Sequence, residues 1–207
     1  MTKIVDKDTT WTSGSTIYLT EALEVAPNVT LTIEPGVSII GTGSASSTIT
    51  VYGRLLAQGT SANKINISKT TLNIGKLSQY TGYLNLNGVA MSDGSLLTDY
   101  FYGYFDISNS SFDNVFGLYI WYPKFDSSFT QNTFTKSGVM QTLTSNTKLT
   151  IKNNLFTDWY GTAVLSLADY NKGTIVEKNT FLGGSNSKTA LGLMSGYDSA
   201  AMVAADN

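Results

Sequence analysis

The chain has 207 residues, a net charge of −2 and 14% charged side chains, against about a quarter in an average domain. That length suits one domain. The near-neutral charge gives nucleic acid no electrostatic footing, and no apolar run approaches the roughly 18 residues of a membrane span. With no histidine and no cysteine there is no imidazole base, no His-assisted nucleophile and no usual zinc site, so neither metal nor cofactor is expected.

The first segment, residues 1–29, begins MTKIVDKDTTW, which is polar and lacks the apolar stretch of a signal peptide. It fits a chain whose leader has been removed, a virion protein that never enters the general secretory route, or an exporter substrate with a distal signal. Trp11 and the mixed run Tyr18-Leu-Thr-Glu-Ala-Leu-Glu-Val25 are expected to form an N-terminal cap, because a stack of strands must hide its first open rung.

Residues 30–91 carry short alternating runs: Val29-Thr-Leu-Thr-Ile-Glu-Pro-Gly-Val37, Ile49-Thr-Val-Tyr-Gly-Arg-Leu-Leu-Ala-Gln-Gly-Thr60 and Ile65-Asn-Ile67. Runs of this kind, separated by Gly and Asn, read as strands with tight corners. The lone arginine, Arg54, follows Gly53 and is expected to face solvent. Residues 92–104, SDGSLLTDYFYGY, break the rhythm. They are expected to emerge as a loop on one face, where solenoids often carry function.

Between 105 and 207 the period becomes explicit. Phe112, Phe134, Phe156 and Phe181 stand 22, 22 and 25 residues apart, the mark of a repeat that buries its apolar face only against its neighbours. Two places before each Phe sit Ser110, Asn132, Asn154 and Asn179, and five places before sit Ile107, Phe129, Ile151 and Val176. Segments such as SNSSFDN, TQNTFTK and IKNNLFT are rich in residues that helices tolerate badly. Strands stacked about 4.8 Å apart would turn the Asn column into an internal amide ladder and the Phe column into a stack of core rings. Asn114, Lys136 and Asp158, each two places after a Phe, would bring Lys136 beside Asp158 as an exposed ion pair.

With these motifs the chain resembles the right-handed parallel β-helix proteins of the pectin-lyase-like superfamily. Its early runs are similar to the opening coils of secreted bacterial β-helices. The resemblance implies an all-β fold, a right-handed parallel β-helix of roughly nine coils and about 45 Å length. One domain spans 1–207, with the cap at 1–29, first coils at 30–91, the loop at 92–104 and regular coils at 105–207. The end, SGYDSAAMVAADN, shows no clear cap, so a longer extracellular, cell-surface or phage-virion protein is expected. The superfamily holds lyases, glycosidases, epimerases, tailspikes, adhesins and inert shafts, so the fold leaves the activity open.

Lyases of that family would need a basic residue beside clustered acidic calcium ligands, and no acidic cluster adjoins Arg54 in the sequence. Glycosidases would carry paired aspartates on adjacent coils. Among Asp106, Asp113, Asp126, Asp158 and Asp169, the catalytic candidates are Asp126 and Asp169, 14 and 13 residues after a Phe. Two rungs apart they would stand about 10 Å from each other, just outside the inverting separation of about 6.5–9.5 Å. Aromatics gather at Tyr100, Phe101, Tyr102, Tyr104, Trp121, Tyr122, Trp159 and Tyr160, with Phe116 and Tyr160 forming one core column. On a weakly charged Asn/Ser/Thr surface, rings of this kind suit stacking on pyranose faces. Tyr102, Tyr104, Trp121, Tyr122 and Trp159 are therefore the expected glycan-binding residues, beside the 92–104 loop. An ice-binding array is disfavoured: Thr30-Leu-Thr32, Thr48-Ile-Thr50 and Thr142-Leu-Thr144 do not recur in one column. The expected function is a structural and adhesive rod that presents a carbohydrate- or receptor-binding face. The alternatives are a polysaccharide-degrading glycosidase or lyase and an inert spacer. A polysaccharide or cell-surface glycan is the expected partner, and the sequence leaves the oligomeric state open.

Overall fold

The computed structural model describes residues 2–42, 47–75, 81–96, 103–116, 119–121, 123–137, 140–144, 147–159, 163–169, 174–183, 189–195 and 203–206. Short strands recur along them in sets of three. The first sets are β1 (Thr2–Val5), β2 (Thr9–Trp11) and β3 (Thr16–Leu19), then β4 (Ala22–Val25), β5 (Thr30–Ile33) and β6 (Ser38–Gly41). Next come β7 (Thr48–Val51), β8 (Arg54–Gln58) and β9 (Ile65–Ser68), then β10 (Thr71–Ile74), β11 (Tyr83–Asn87) and β12 (Val89–Ser92). The middle holds β13 (Ser95–Leu96), β14 (Tyr104–Ser108) and β15 (Ser111–Asp113), followed by β16 (Tyr119–Trp121), β17 (Ser127–Thr130) and β18 (Thr133–Thr135). The last are β19 (Met140–Thr144), β20 (Leu149–Lys152) and β21 (Leu155–Thr157), then β22 (Ala163–Asp169), β23 (Ile175–Glu177) and β24 (Thr180–Leu182), and finally β25 (Thr189–Ser195) and β26 (Val203–Ala205).

Apart from the break between β13 and β16, each strand stacks in parallel on the one three places before it. The longest sheet runs β2-β5-β8-β11-β14-β17-β20-β23-β26, and an eight-stranded sheet runs from β3 to β24. The third side is divided into a five-stranded sheet, β1 to β13, and a four-stranded sheet, β16 to β25. The expected all-β parallel β-helix is the fold. No helix among the described residues is long and apolar enough to cross a membrane.

The core follows from strand alternation. Ile107, Phe129, Ile151 and Val176 align as one inward column of the nine-stranded sheet and are fully buried. Phe112, Phe134, Phe156 and Phe181 align on the eight-stranded sheet, their rings stacked 4.9, 4.9 and 5.1 Å apart. The same column continues toward the N-terminus as Met91, Ile67, Ile39 and Ile17.

The asparagine ladder is also present. Asn154 donates its amide to Asn179 Oδ1 (3.0 Å) and to the Phe129 carbonyl (3.0 Å). Its own Oδ1 accepts from the backbone (2.9 Å) and amide (3.1 Å) of Asn132. Asn132 Oδ1 in turn takes the Ser110 N–H (3.0 Å), and Ser110 Oγ takes the Val89 N–H (3.0 Å). Each amide thus satisfies backbone groups that a tight corner would otherwise leave buried and unpaired. The residue just before each ladder position turns the corner in the left-handed region: Asn109, Gln131, Asn153 and Lys178 have φ of 51°, 58°, 56° and 55°.

Residues 2–25, expected to cap the stack, supply its first strands, β1–β4. Within the 92–104 insertion, Ser95–Leu96 form β13, which pairs with β10, and residues 97–102 lie outside the described residues. Lys136 and Asp158 both occupy left-handed corners, φ 47° and 50°, whose backbone N–H groups bond the next rung. Among the described residues the ion pair is Lys152–Glu177, 3.1 Å, and not Lys136–Asp158.

Candidate functional site

The outward face of the nine-stranded sheet is where aromatic, cationic and hydrogen-bonding side chains converge. Register places Arg54, Tyr83 and Tyr104 side by side on successive strands. The Arg54 guanidinium lies 5.4 Å over the Tyr83 ring, a cation–π contact. Tyr83 and Tyr104 stack at 4.3 Å and 23°, and Phe125 meets Tyr104 edge-on at 5.2 Å and 81°. Tyr83 is consequently only 9% exposed although it points outward, whereas Phe125 at the end of the column is 51% exposed.

A polar network runs beside this column. Gln58 donates to Asn85 Oδ1, Asn85 donates to the Tyr83 hydroxyl (2.7 Å) and Tyr83 donates to Asp106 Oδ2 (3.0 Å). Ser128 closes the other carboxylate oxygen of Asp106 at 2.7 Å. Burial is the main cause that holds the Tyr83 hydroxyl above the ordinary tyrosine range; the Asn85 bond opposes it, and the Asp106 charge reinforces it. A tyrosine shifted this way is a hydrogen-bond donor at neutral pH and not a base.

The next outward column along the strands, Asn87 with Ser108, and the adjoining Asn109 lead to the corner toward the eight-stranded sheet. Asn87 Oδ1 accepts from Asn109 (2.8 Å) and Ser108 (3.3 Å). At this corner β8 and β9 are joined by residues 59–64, whereas β11 and β12 are joined by Gly88 alone. The longer turn is closed by reciprocal backbone bonds between Thr60 and Asn63 (3.1 and 3.2 Å). It overhangs later rungs: Lys64 Nζ lies 3.5 Å from Ser111 Oγ, 47 residues on. A groove of about 650 Å³ results, lined by Thr60, Ser61, Lys64, Asn109, Gln131 and Thr133 among others. Its size falls in the range of small-ligand sites. Its floor requires glycine, because a Cβ on Gly88 (φ +63°) would sit 2.6 Å from the Gly59 carbonyl.

The expected site residues are only partly gathered here. Tyr104 belongs to the sheet face, but its ring is turned onto Tyr83 and not freely to solvent. Trp159 is 5% exposed and part of the core. It lies three places after its Phe, as buried Val115 and Ser137 do, and that column was the signal that marked it as internal. Trp121 lies in β16, with its side chain outside the described part; Tyr102, Tyr122 and Tyr160 lie outside the described residues. Phe116, expected in the core, is 45% exposed.

Asp126 and Asp169 do not share a column. Asp126 precedes β17 and accepts the Lys148 N–H at 2.8 Å, a structural duty matched by Asp8 toward Thr30 N (2.8 Å). Asp169 ends β22 on the four-stranded sheet, aligned with Thr144 and Ser195. The cause is strand length: β22 has seven residues where β16 has three, so near-equal counts from a Phe reach different sides of the helix. Among the described residues no set of three or more acidic side chains gathers as metal ligands. The three Thr-x-Thr motifs fall in β5, β7 and β19, on three different sheets.

Of these sheet-face residues the sequence singles out Arg54 only as solvent-facing and Asp106 only as one of five aspartates, and it gives no signal for Tyr83, Asn85 or Phe125. The steps from Arg54 to Tyr83 and from Tyr83 to Tyr104 are 29 and 21 residues, so no constant period links them. Searches of family models, curated proteins and solved structures find no match for this chain.

Proposed function

We propose that the chain is a rigid adhesive rod, a β-helix of the pectin-lyase-like kind at a cell or virion surface, whose nine-stranded face reads carbohydrate. The observation that carries this reading is preorganisation. Gln58, Asn85, Tyr83, Asp106 and Ser128 are tied to one another before any ligand arrives, so binding costs little side-chain entropy. The amide edges, hydroxyls and carboxylate match sugar hydroxyls, and the open ring of Phe125 offers an apolar face of the kind a pyranose covers. Both oxygens of Asp106 already accept hydroxyl protons, which fits a fixed acceptor for sugar hydroxyls better than a proton-shuttling acid.

The test is calorimetric titration of the folded chain with neutral oligosaccharides of several linkages, repeated with Phe125→Ala and Asp106→Asn. Binding that weakens about tenfold in each variant is expected, from the loss of one stacking contact or one charge-assisted hydrogen bond. Unchanged binding in both variants would remove the sheet face from the account. Release of shortened or unsaturated products would instead support the degrading-enzyme alternative.

A further inference from the structure

We propose that the corner groove is a second binding site, for a saccharide that carries an oxyanion, with Lys64 as its counter-charge. The groove contains a single charged lining residue, Lys64, and no carboxylate. The chain as a whole is net negative, −2, so this pocket of positive charge runs against the background. The ammonium of Lys64 meets the neutral hydroxyl of Ser111 at 3.5 Å; the ion pair among the described residues involves other side chains. A half-buried ammonium next to neutral donors is short of a negative partner.

The remaining lining completes the recognition. Thr60, Ser61 and Thr133 bring hydroxyls and Gln131 brings an amide, groups that bond either the oxyanion or the ring hydroxyls. Asn109 holds its position through its bond to Asn87 (2.8 Å). The turn 59–64 is braced by Thr60–Asn63 bonds, so Lys64 is delivered from a fixed support. A carboxylate, a sulfate ester or a phosphate ester would satisfy the same chemistry. The groove lies past the ends of β8 and β11 whereas Phe125 precedes the start of β17, so this site does not depend on binding at Phe125.

The experiment titrates the whole chain with oligosaccharides matched in backbone and length: neutral, uronate-bearing, sulfated and phosphorylated. Charged ligands are expected to bind about tenfold more tightly than the neutral parent, an advantage that fades with added salt. Lys64→Gln should erase that advantage, and so should Asn109→Asp, which places a carboxylate in the groove at a left-handed position that Asp tolerates. Lys7→Gln, which removes an exposed lysine outside the groove, should leave it intact. Whichever anion binds identifies the source of the oxyanion. Equal affinity for neutral and charged ligands, no binding of any, or a charge preference that survives Lys64→Gln in a protein with an unchanged melting curve would each overturn the proposal. Loss in Phe125→Ala but not in Lys64→Gln would assign the binding to the sheet face instead.

Discussion

At the scale of single residues the fold rests on side chains that complete the backbone's hydrogen bonding. Asn154 is 2% exposed and bridges three rungs. Asn154→Ala would leave the Asn132 N–H without its acceptor and remove the amide bond to the Phe129 carbonyl, while Asn179 Oδ1 would keep the backbone N–H of residue 154. A loss of about 3 kcal/mol is expected, from the desolvation of buried unpaired groups, measured by urea unfolding. Its neighbour Asn153, exposed at φ 56°, should accept Gly with a change within about 0.5 kcal/mol, since Gly adopts that conformation freely. Gly88→Ala combines φ +63° with the 2.6 Å approach to Gly59 and should cost about 2 kcal/mol or more. Tyr83 makes stability depend on alkaline pH. Its hydroxyl titrates above the ordinary 10.0 in the folded chain, so the unfolded chain loses its proton first as pH rises. Stability is therefore full below about pH 10 and declines through the folded value. Tyr83→Phe should flatten that part of the decline in melting temperature, whereas an unchanged slope would mean that other groups control it.

At the scale of elements each strand is stabilised almost wholly by the rungs above and below it. Phe156 stacks on Phe134 and Phe181, so Phe156→Ala should cost about 4 kcal/mol. Hydrogen exchange should quicken chiefly in β18, β21 and β24, while β5 and β8 keep their protection; uniform loss along the rod would show that the stack unfolds as one cooperative unit. This element logic was legible in the sequence wherever the same side chain repeats. The Asn and Phe columns of β15, β18, β21 and β24 could be read directly because identical residues stack at near-constant spacing. The same inward column in β3, β6, β9 and β12 is filled by Ile17, Ile39, Ile67 and Met91, which satisfies packing without announcing a period. The sheet-face site was illegible for a related reason. Outward residues are free of the core's demand for repetition, and the variable connections on the third side make residue counting an unreliable guide to alignment. Asp169 shows the consequence, since a seven-residue β22 keeps it on the four-stranded sheet, short of the position that counting assigns. Trp159 shows the opposite case: its place in one column with Val115 and Ser137 marks it as internal, whatever the binding chemistry of an indole ring.

At the scale of the whole molecule, a parallel stack provides a stiff scaffold with uneven faces. Its inward columns are largely apolar and joined by a buried Ser/Asn ladder, and left-handed residues turn its corners. Where a corner lengthens, as at residues 59–64, the surface opens into a groove. The neutral, hydroxyl- and amide-rich exterior (14% charged residues overall) suits weak, repeated contacts along an extended polymer better than tight capture of a small molecule, and a rigid rod allows several such contacts to act together. The most direct measurement of glycan recognition is a broad glycan array, including bacterial and algal polysaccharides, probed with the full chain after circular dichroism has verified its β structure. The account predicts specific binding to a restricted set of glycans that declines in Phe125→Ala or Lys64→Gln. A blank array from folded protein would contradict it and leave the molecule a shaft.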